Sequence, residues 1–91
     1  MPTLRIPSPL RPYTSGLSEV NVQGQTIGQA LGDLTRQYPA LQPHLFNGDG
    51  RVRPFVNLYL REENVKEMQG LETPVTDDDR ILLIPSIAGG K

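Results

Sequence analysis

A single amphipathic helix lying between short strand patterns is the feature that most constrains the fold of this 91-residue chain. Apolar residues from Ile27 to Tyr38 recur at spacings that place them on one face of a helix. Thr26 and Gln29 form a capping-box pattern at its start, and Pro39 predicts its end near Tyr38. One helix of this length can cover one face of a small sheet, so helix-on-sheet packing is expected.

Four strand patterns surround this helix, each with apolar residues alternating with other side chains or in a short apolar run. They cover residues 3–6, 19–22, 53–60 and 80–84. The order is strand, strand, helix, strand, short element, strand. This order predicts an α+β fold with a small mixed sheet packed on one main helix, the β-grasp or ubiquitin-like layout.

The connections are predicted with less regular structure. Three prolines within residues 7–12 are expected to exclude helix and central strand, which leaves a proline-stiffened loop. Residues 41–46 are predicted to form a short turn of helix. Residues 61–69 are expected to be a polar loop, and residues 71–75 a brief edge element. Residues 76–79 are predicted to form a turn.

Composition excludes several classes of site. The chain has no Cys, which rules out a disulfide framework, a thiolate zinc site and a cysteine nucleophile. Nine basic residues against ten acidic ones argue against a nucleic-acid binder and a polybasic membrane anchor. The longest apolar run, residues 81–84, is far shorter than a membrane span. We therefore expect a soluble cytoplasmic protein with no nucleic-acid or membrane partner.

Two polar features are interpreted as structural. His44 is the only histidine, and no orienting partner for a general base is evident beside it. Asp77, Asp78 and Asp79 are adjacent rather than alternating as in a calcium loop, so a solvated acidic turn is expected. Neither feature predicts catalysis or a metal site.

The C-terminal residues offer a different chemistry. Residues 1–84 are assigned to the domain and residues 85–91 to a flexible tail that contains Gly89 and Gly90. Glycines without Cβ can lie extended in a channel too narrow for side chains. A terminal glycine carboxylate can be activated by ATP as an acyl-adenylate, which sulfide or an amine can attack. The diglycine alone favours the plainer interpretation, a frayed glycine-rich end.

Several segments resemble the MoaD/ThiS family of ubiquitin-like sulfur carriers, and most closely its CysO-type members of cysteine biosynthesis. They are residues 10–14 (LRPYT), 53–60 (RPFVNLYL), 79–85 (DRILLIP) and the ending PSIAGG at residues 85–90. The resemblance implies a non-enzymatic carrier whose Gly90 becomes a thiocarboxylate. Ala88 and Gly89 would thread the tail into partner proteins. No cofactor would be bound, and ATP would be used by the activating partner.

The resemblance also implies the partners. They are an E1-like adenylyltransferase/sulfurtransferase, a PLP-dependent cysteine synthase that takes the sulfur, and a JAMM-type zinc peptidase for tail processing or release. Lys91 departs from the family ending because it locks the Gly90 carboxylate in a peptide bond, so its removal is expected. Three alternatives remain: a ubiquitin-like modifier that forms isopeptide conjugates, a donor like the small subunit of molybdopterin synthase, and a plain interaction domain.

Strand alternation predicts where partners dock. If Val56 and its alternate neighbours face the helix, other side chains of the two long strands point outward. Four of these would form an apolar patch beside the root of the tail: Phe55, Tyr59, Leu82 and Ile84. The other possibility is that loops of the domain cover this face.

Overall fold

The computed structural model describes residues 1–48, 52–53 and 56–85, and for Pro85 the backbone only. Five strands form one sheet, and a long helix packs across one face of it, which confirms the β-grasp fold. The strands and α-helices are β1 (Thr3–Arg5), β2 (Glu19–Asn21), α1 (Ile27–Gln37), α2 (Gln42–Leu45), β3 (Val56–Leu60), β4 (Glu63–Asn64) and β5 (Arg80–Pro85). Short 3₁₀ helices cover Ser8–Thr14, Pro39–Leu41, Val65–Glu67 and Gly70–Glu72.

The strand order is β2-β1-β5-β3-β4. β1 runs parallel to β5, with Arg5 beside Leu82, and β3 runs antiparallel to β5, with Val56 beside Pro85. The end of β5 therefore lies at the same end of the sheet, along the strand direction, as the end of β1 and the beginning of β3. We call this end of the sheet, where the described part of β5 stops at Pro85, the tail end. The opposite end of the sheet, which holds the turns at residues 61–62 and 77–79, is the far end.

The core lies between the sheet and α1, as the alternation predicts. Val56, Leu58 and Leu60 of β3 are buried, and so are Ile81 and Leu83 of β5. The helix contributes four side chains that are almost fully buried: Ile27, Ala30, Leu31 and Leu34. The fifth residue of the predicted face, Tyr38, is the C-cap of α1 and is half-buried.

The predicted cap of α1 is confirmed with one displacement. The Thr26 hydroxyl accepts from the Gln29 backbone N–H at 3.2 Å. The Gln29 carboxamide oxygen accepts from the Gln25 N–H at 2.8 Å, one residue earlier than a capping box requires. Gly24 enters this turn with φ 152°, and a Cβ there would lie 2.8 Å from the Ala30 nitrogen. Only glycine fits such a close approach.

The prediction that prolines exclude helix after β1 is wrong. Ser8–Thr14 is a 3₁₀ helix with Pro12 inside it. A 3₁₀ helix is held by i→i+3 backbone hydrogen bonds, and so short a segment needs few backbone N–H donors. One of these bonds joins the Leu10 N–H to the Pro7 carbonyl at 2.9 Å. Leu10 packs into the core, and Ser15 ends the helix in the left-handed conformation at φ 58°.

The segment between β3 and β5 also differs from expectation. Residues 63–64 form the two-residue strand β4, which is too short and polar to give a period-2 pattern. The edge element expected at residues 71–75 is instead the end of a 3₁₀ turn followed by one isolated bridge from Pro74 to Thr26. The short helix within residues 41–46 is confirmed as α2.

A candidate docking face beside the tail root

Three of the four residues of the predicted patch lie together on the sheet face away from α1. Tyr59 of β3 is directly opposite Leu82 of β5, and Asn57 is opposite Ile84. Tyr59 and Leu82 are half-buried, and Ile84 is 46% exposed. We call Tyr59, Leu82 and Ile84 the docking face. Phe55, the fourth residue of the predicted patch, lies outside the described residues.

Polar side chains border the docking face on both sides. Arg5 continues the Leu82 row onto β1 and pairs with Glu19 at 3.4 Å. On the other side, Asn64 is opposite Tyr59 and donates to the Asn57 side chain at 3.4 Å. An apolar centre with a polar rim is the usual anatomy of a protein–protein interface.

The docking face adjoins the root of the tail. Ile84 directly precedes Pro85, and the backbone of Pro85 pairs with Val56 as the last described step of β5. The predicted site residues Ala88, Gly89, Gly90 and Lys91 lie outside the described residues. A partner that covers the docking face would therefore contact the chain immediately before the tail.

The other sequence candidates occupy structural positions. His44 is exposed, and its ring stacks on Tyr13 with 4.4 Å between centroids. Asp79 is buried rather than solvated, which corrects the expected acidic turn. Its carboxylate accepts from the Thr76 N–H at 2.8 Å and pairs with Arg61 at 3.1 Å. Within the described part of residues 1–85, no three metal-binding side chains cluster.

Sequence reasoning missed one buried acid. Asp33 lies outside the apolar face predicted for α1, yet it is only 7% exposed. Its carboxylate accepts from the Gln23 N–H at 3.0 Å and from the Gln37 side chain at 2.8 Å, and it pairs with Arg36. The Gln23 bond is the main cause that holds the pKa of Asp33 below its ordinary value, against the opposing effect of burial.

The described helices also include none long and apolar enough to cross a bilayer. The structure thus offers a surface suited to protein contact and, in its described part, no group of three side chains that could hold a metal ion.

Comparisons with known proteins agree with this arrangement. Sulfur carrier protein CysO of Mycobacterium tuberculosis is 36% identical over 90 residues, which are 97% of each chain. Small archaeal modifier protein 3 of Haloferax volcanii is 34% identical over 65 residues, 71% of this chain and 70% of that protein. Among solved structures, a chain of the Amycolatopsis orientalis BexX/CysO complex superposes with a TM-score of 0.88. It is 30% identical and covers 99% of this chain and 100% of its own.

The proteins with these names are carriers and modifiers rather than enzymes. The family match itself extends over residues 4–90, from the first strand through the diglycine. The chain therefore belongs to the ThiS family.

Proposed function

We propose that this protein is a sulfur carrier of the CysO type that is activated at Gly90 and delivers sulfur as a thiocarboxylate, most directly for cysteine biosynthesis. The observation that carries the proposal is that β5 ends beside the docking face only a few residues before the diglycine in the sequence. Membership of the ThiS family and the likeness to CysO over nearly the whole chain support it.

The chemistry needs only the terminal carboxylate of this chain. That carboxylate is anionic and lacks a leaving group, so sulfide does not attack it directly. In the proposed reaction, a carboxylate oxygen attacks the α-phosphorus of ATP and pyrophosphate leaves. Sulfur then attacks the acyl carbon and AMP leaves, which gives the thiocarboxylate. ATP is bound and used by the activating enzyme, not by the carrier.

The structure supports a division of labour between the domain and its tail. The docking face gives a partner apolar side chains to bury, and the end of β5 at Pro85 brings the start of the tail beside that contact. Ala88 and Gly89 have small or no side chains, so they can pass through a narrow channel to an active site in the partner. The fold positions the carboxylate, and the partner supplies catalysis.

The proposed partners follow the same sequence of steps. An E1-like adenylyltransferase/sulfurtransferase forms the thiocarboxylate, and a PLP-dependent cysteine synthase accepts the sulfur. A JAMM-type zinc peptidase removes Lys91 or releases the product. The Amycolatopsis orientalis CysO was crystallised in complex with BexX, so a similar carrier does bind another protein, which is consistent with function through docking.

The test is conversion of the carrier in a reconstituted reaction. Chain ending at Gly90 is incubated with the E1-like enzyme of its own organism, ATP and a sulfide source, and its intact mass is measured. The expected product is heavier by one exchange of oxygen for sulfur, and it appears only with ATP. Chain that still carries Lys91 is the matched control and should stay unchanged. Absence of the product from the Gly90 form would contradict the proposal.

A second candidate function is protein modification. It is favoured by the 34% identity to a protein named small archaeal modifier protein 3. The same adenylate would then be attacked by a lysine amine, forming an isopeptide bond at Gly90. A search of native lysates for lysines that carry a peptide remnant ending in Gly89-Gly90 separates this outcome from sulfur delivery.

A further inference from the structure

Charge is distributed unevenly between the two ends of the sheet. Of the described residues at the tail end, residues 6–18, 38–48 and 52–53 contain no Asp or Glu, and Glu19 at the start of β2 pairs with Arg5 at 3.4 Å. The far end holds half of the acidic residues of the chain. They are Glu62, Glu63, Asp77, Asp78 and Asp79. The molecule is nearly neutral overall, but its positive and negative charges are separated along the direction of β5.

Two arginines at the tail end are held differently from three others of the chain. Arg5, Arg36 and Arg61 each pair with a carboxylate, from Glu19, Asp33 and Asp79 respectively. Arg11 and Arg53 instead use their Nε atoms to bind backbone carbonyls.

The Arg11 Nε donates to the Ile6 carbonyl at 3.0 Å, and the Arg53 Nε donates to the Pro43 carbonyl at 2.8 Å. No carboxylate of the described residues neutralises either guanidinium. Their positive charges are therefore fixed in place, and their terminal N–H groups can reach a partner.

The two arginines belong to one continuous surface. Arg11 lies in the 3₁₀ helix after β1, and Tyr13 of the same helix stacks on His44 of α2. Pro43, whose carbonyl holds Arg53, is the neighbour of His44 in α2. The ring stack therefore joins the segment that carries Arg11 to the segment that anchors Arg53.

We propose that Arg11 and Arg53 bind carboxylates of the activating protein around the mouth of the channel that receives the tail. This inference rests on the proposed function. Arginine anchored through Nε presents its remaining N–H groups as a planar fork that matches a carboxylate. Because Glu19 is paired with Arg5 and residues 6–18, 38–48 and 52–53 contain no acid, the charges of Arg11 and Arg53 attract an acidic surface, and the acidic far end turns away from it. The approach is thereby oriented with the tail first.

The test measures association and dissociation rates of chain ending at Gly90 with the activating enzyme. The Arg11→Gln/Arg53→Gln protein should associate about tenfold more slowly at low salt, with little change in dissociation, because peripheral charges act mainly on encounter. Its association rate should also depend less on ionic strength than that of the wild type. Arg61→Gln removes the same charge at the far end and should leave association within about twofold.

A charge-conserving variant separates attraction from structure. Arg11→Lys/Arg53→Lys cannot reproduce the fixed Nε contacts but keeps both charges, so it should retain most of the association rate. If the lysine protein is as slow as the glutamine protein, the role is structural and the inference is wrong. Wild-type association by the glutamine protein also overturns it.

Two further outcomes are distinguishable. If millimolar ATP alone shifts the Arg11 and Arg53 Nε–H resonances of the free carrier, the arginines bind nucleotide phosphate and the proposed partner is wrong. If the wild-type chain neither binds the enzyme nor supports adenylation, the proposed function itself fails. Normal adenylation with unchanged association in the glutamine protein rejects only the present inference.

Discussion

Tyr59 and Leu82 face each other across β3 and β5 on the side of the sheet that α1 leaves uncovered. Both side chains are half-buried, and Ile84, two residues after Leu82, is 46% exposed. Their apolar atoms are therefore available to a partner without unfolding of the core. This relationship motivates a test of docking at the three side chains.

Tyr59→Ala should weaken binding to the activating enzyme by about 30-fold, the equivalent of about 2 kcal/mol, if Tyr59 is a central anchor. Ile84→Ala should weaken binding in the same direction but less, because it removes a smaller apolar area. The measurement is the dissociation constant by calorimetry, beside the free energy of unfolding in urea. Leu71→Ala, which removes a partly exposed apolar side chain beside α1, is the control and should bind normally. Equal loss in the control would refute a localised docking face.

The two glycines of α1 give a matched pair for stability. A Cβ at Gly32 meets no atom within 4 Å, whereas a Cβ at Gly28 lies 3.2 Å from the Leu71 carbonyl oxygen. Gly32→Ala should stabilise the fold by about 0.5–1 kcal/mol, because alanine favours the helix. Gly28→Ala should gain clearly less or lose stability, because the backbone of Leu71 must shift. Urea unfolding measures the stability of both variants. Equal gains in the free energy of unfolding would show that the Leu71 backbone shifts at no cost.

The lowered pKa of Asp33 predicts acid sensitivity. A carboxyl whose folded pKa lies below its unfolded value stabilises the fold above the unfolded value, near 3.8, and loses that contribution as pH falls through the folded pKa. Asp33→Asn should therefore be less stable than the wild type at pH 6, by about 2 kcal/mol. This difference between the two proteins in the free energy of unfolding should become smaller at pH 3. Urea unfolding at both pH values measures it, with the exposed Asp78→Asn as the control. A gap that stays constant would contradict the assignment.

Elements with a repeated pattern were predictable from the sequence. The helical face of α1 could be predicted because four apolar positions repeat the same spacing: Ile27, Ala30, Leu31 and Leu34. The structure buries all four side chains. The alternation around Leu58 likewise determined which side chains of β3 face the core, since a slip by one residue would reverse every side chain. The β-grasp order followed from these elements.

Features that depend on single tertiary contacts were not predictable. The 3₁₀ helix at Ser8–Thr14 forms despite its prolines because burial of Leu10 selects a tight turn. Asp33 is buried because the chain before α1 presents the Gln23 N–H to it, and no local pattern encodes that approach. β4 (Glu63–Asn64) pairs with β3 through backbone groups. Because these groups do not depend on the side chains, the pairing leaves no pattern in the sequence.

The candidate site divides in the same way. Outward placement of Tyr59, Leu82 and Ile84 followed from strand period, because facing side chains share a face on paired strands. The anchoring of Arg11 and Arg53 on carbonyls was not foreseen, because those carbonyls belong to Ile6 and to distant Pro43. Backbone partners of long side chains leave no signature in a sequence.

Processing at the end of the chain is directly measurable. Lys91 holds the Gly90 carboxyl group in a peptide bond, and an amide cannot attack ATP as a carboxylate does. We expect the active form to end at Gly90, as seen in the intact mass of protein isolated from its native host. If every molecule retains Lys91 while the carrier is charged with sulfur, this expectation is wrong.

Substitution at the reacting residue tests where the chemistry lies. In chain ending at Gly90, Gly90→Val should reduce ATP–pyrophosphate exchange by the activating enzyme to background. A branched Cβ crowds the carboxylate and restricts the backbone angles available to a tail in a narrow channel. The fold should be unaffected, because the buried core of the described residues lies entirely before Pro85.

Gly32→Ala in the same chain is the control for a change of glycine within the domain, and it should exchange normally since its Cβ meets open space. Thermal unfolding of both proteins excludes loss of structure as the cause of lost exchange. Exchange at the wild-type rate by the folded Gly90→Val protein would place the activated group somewhere other than the terminal glycine, and the proposed thiocarboxylate chemistry would fall with it.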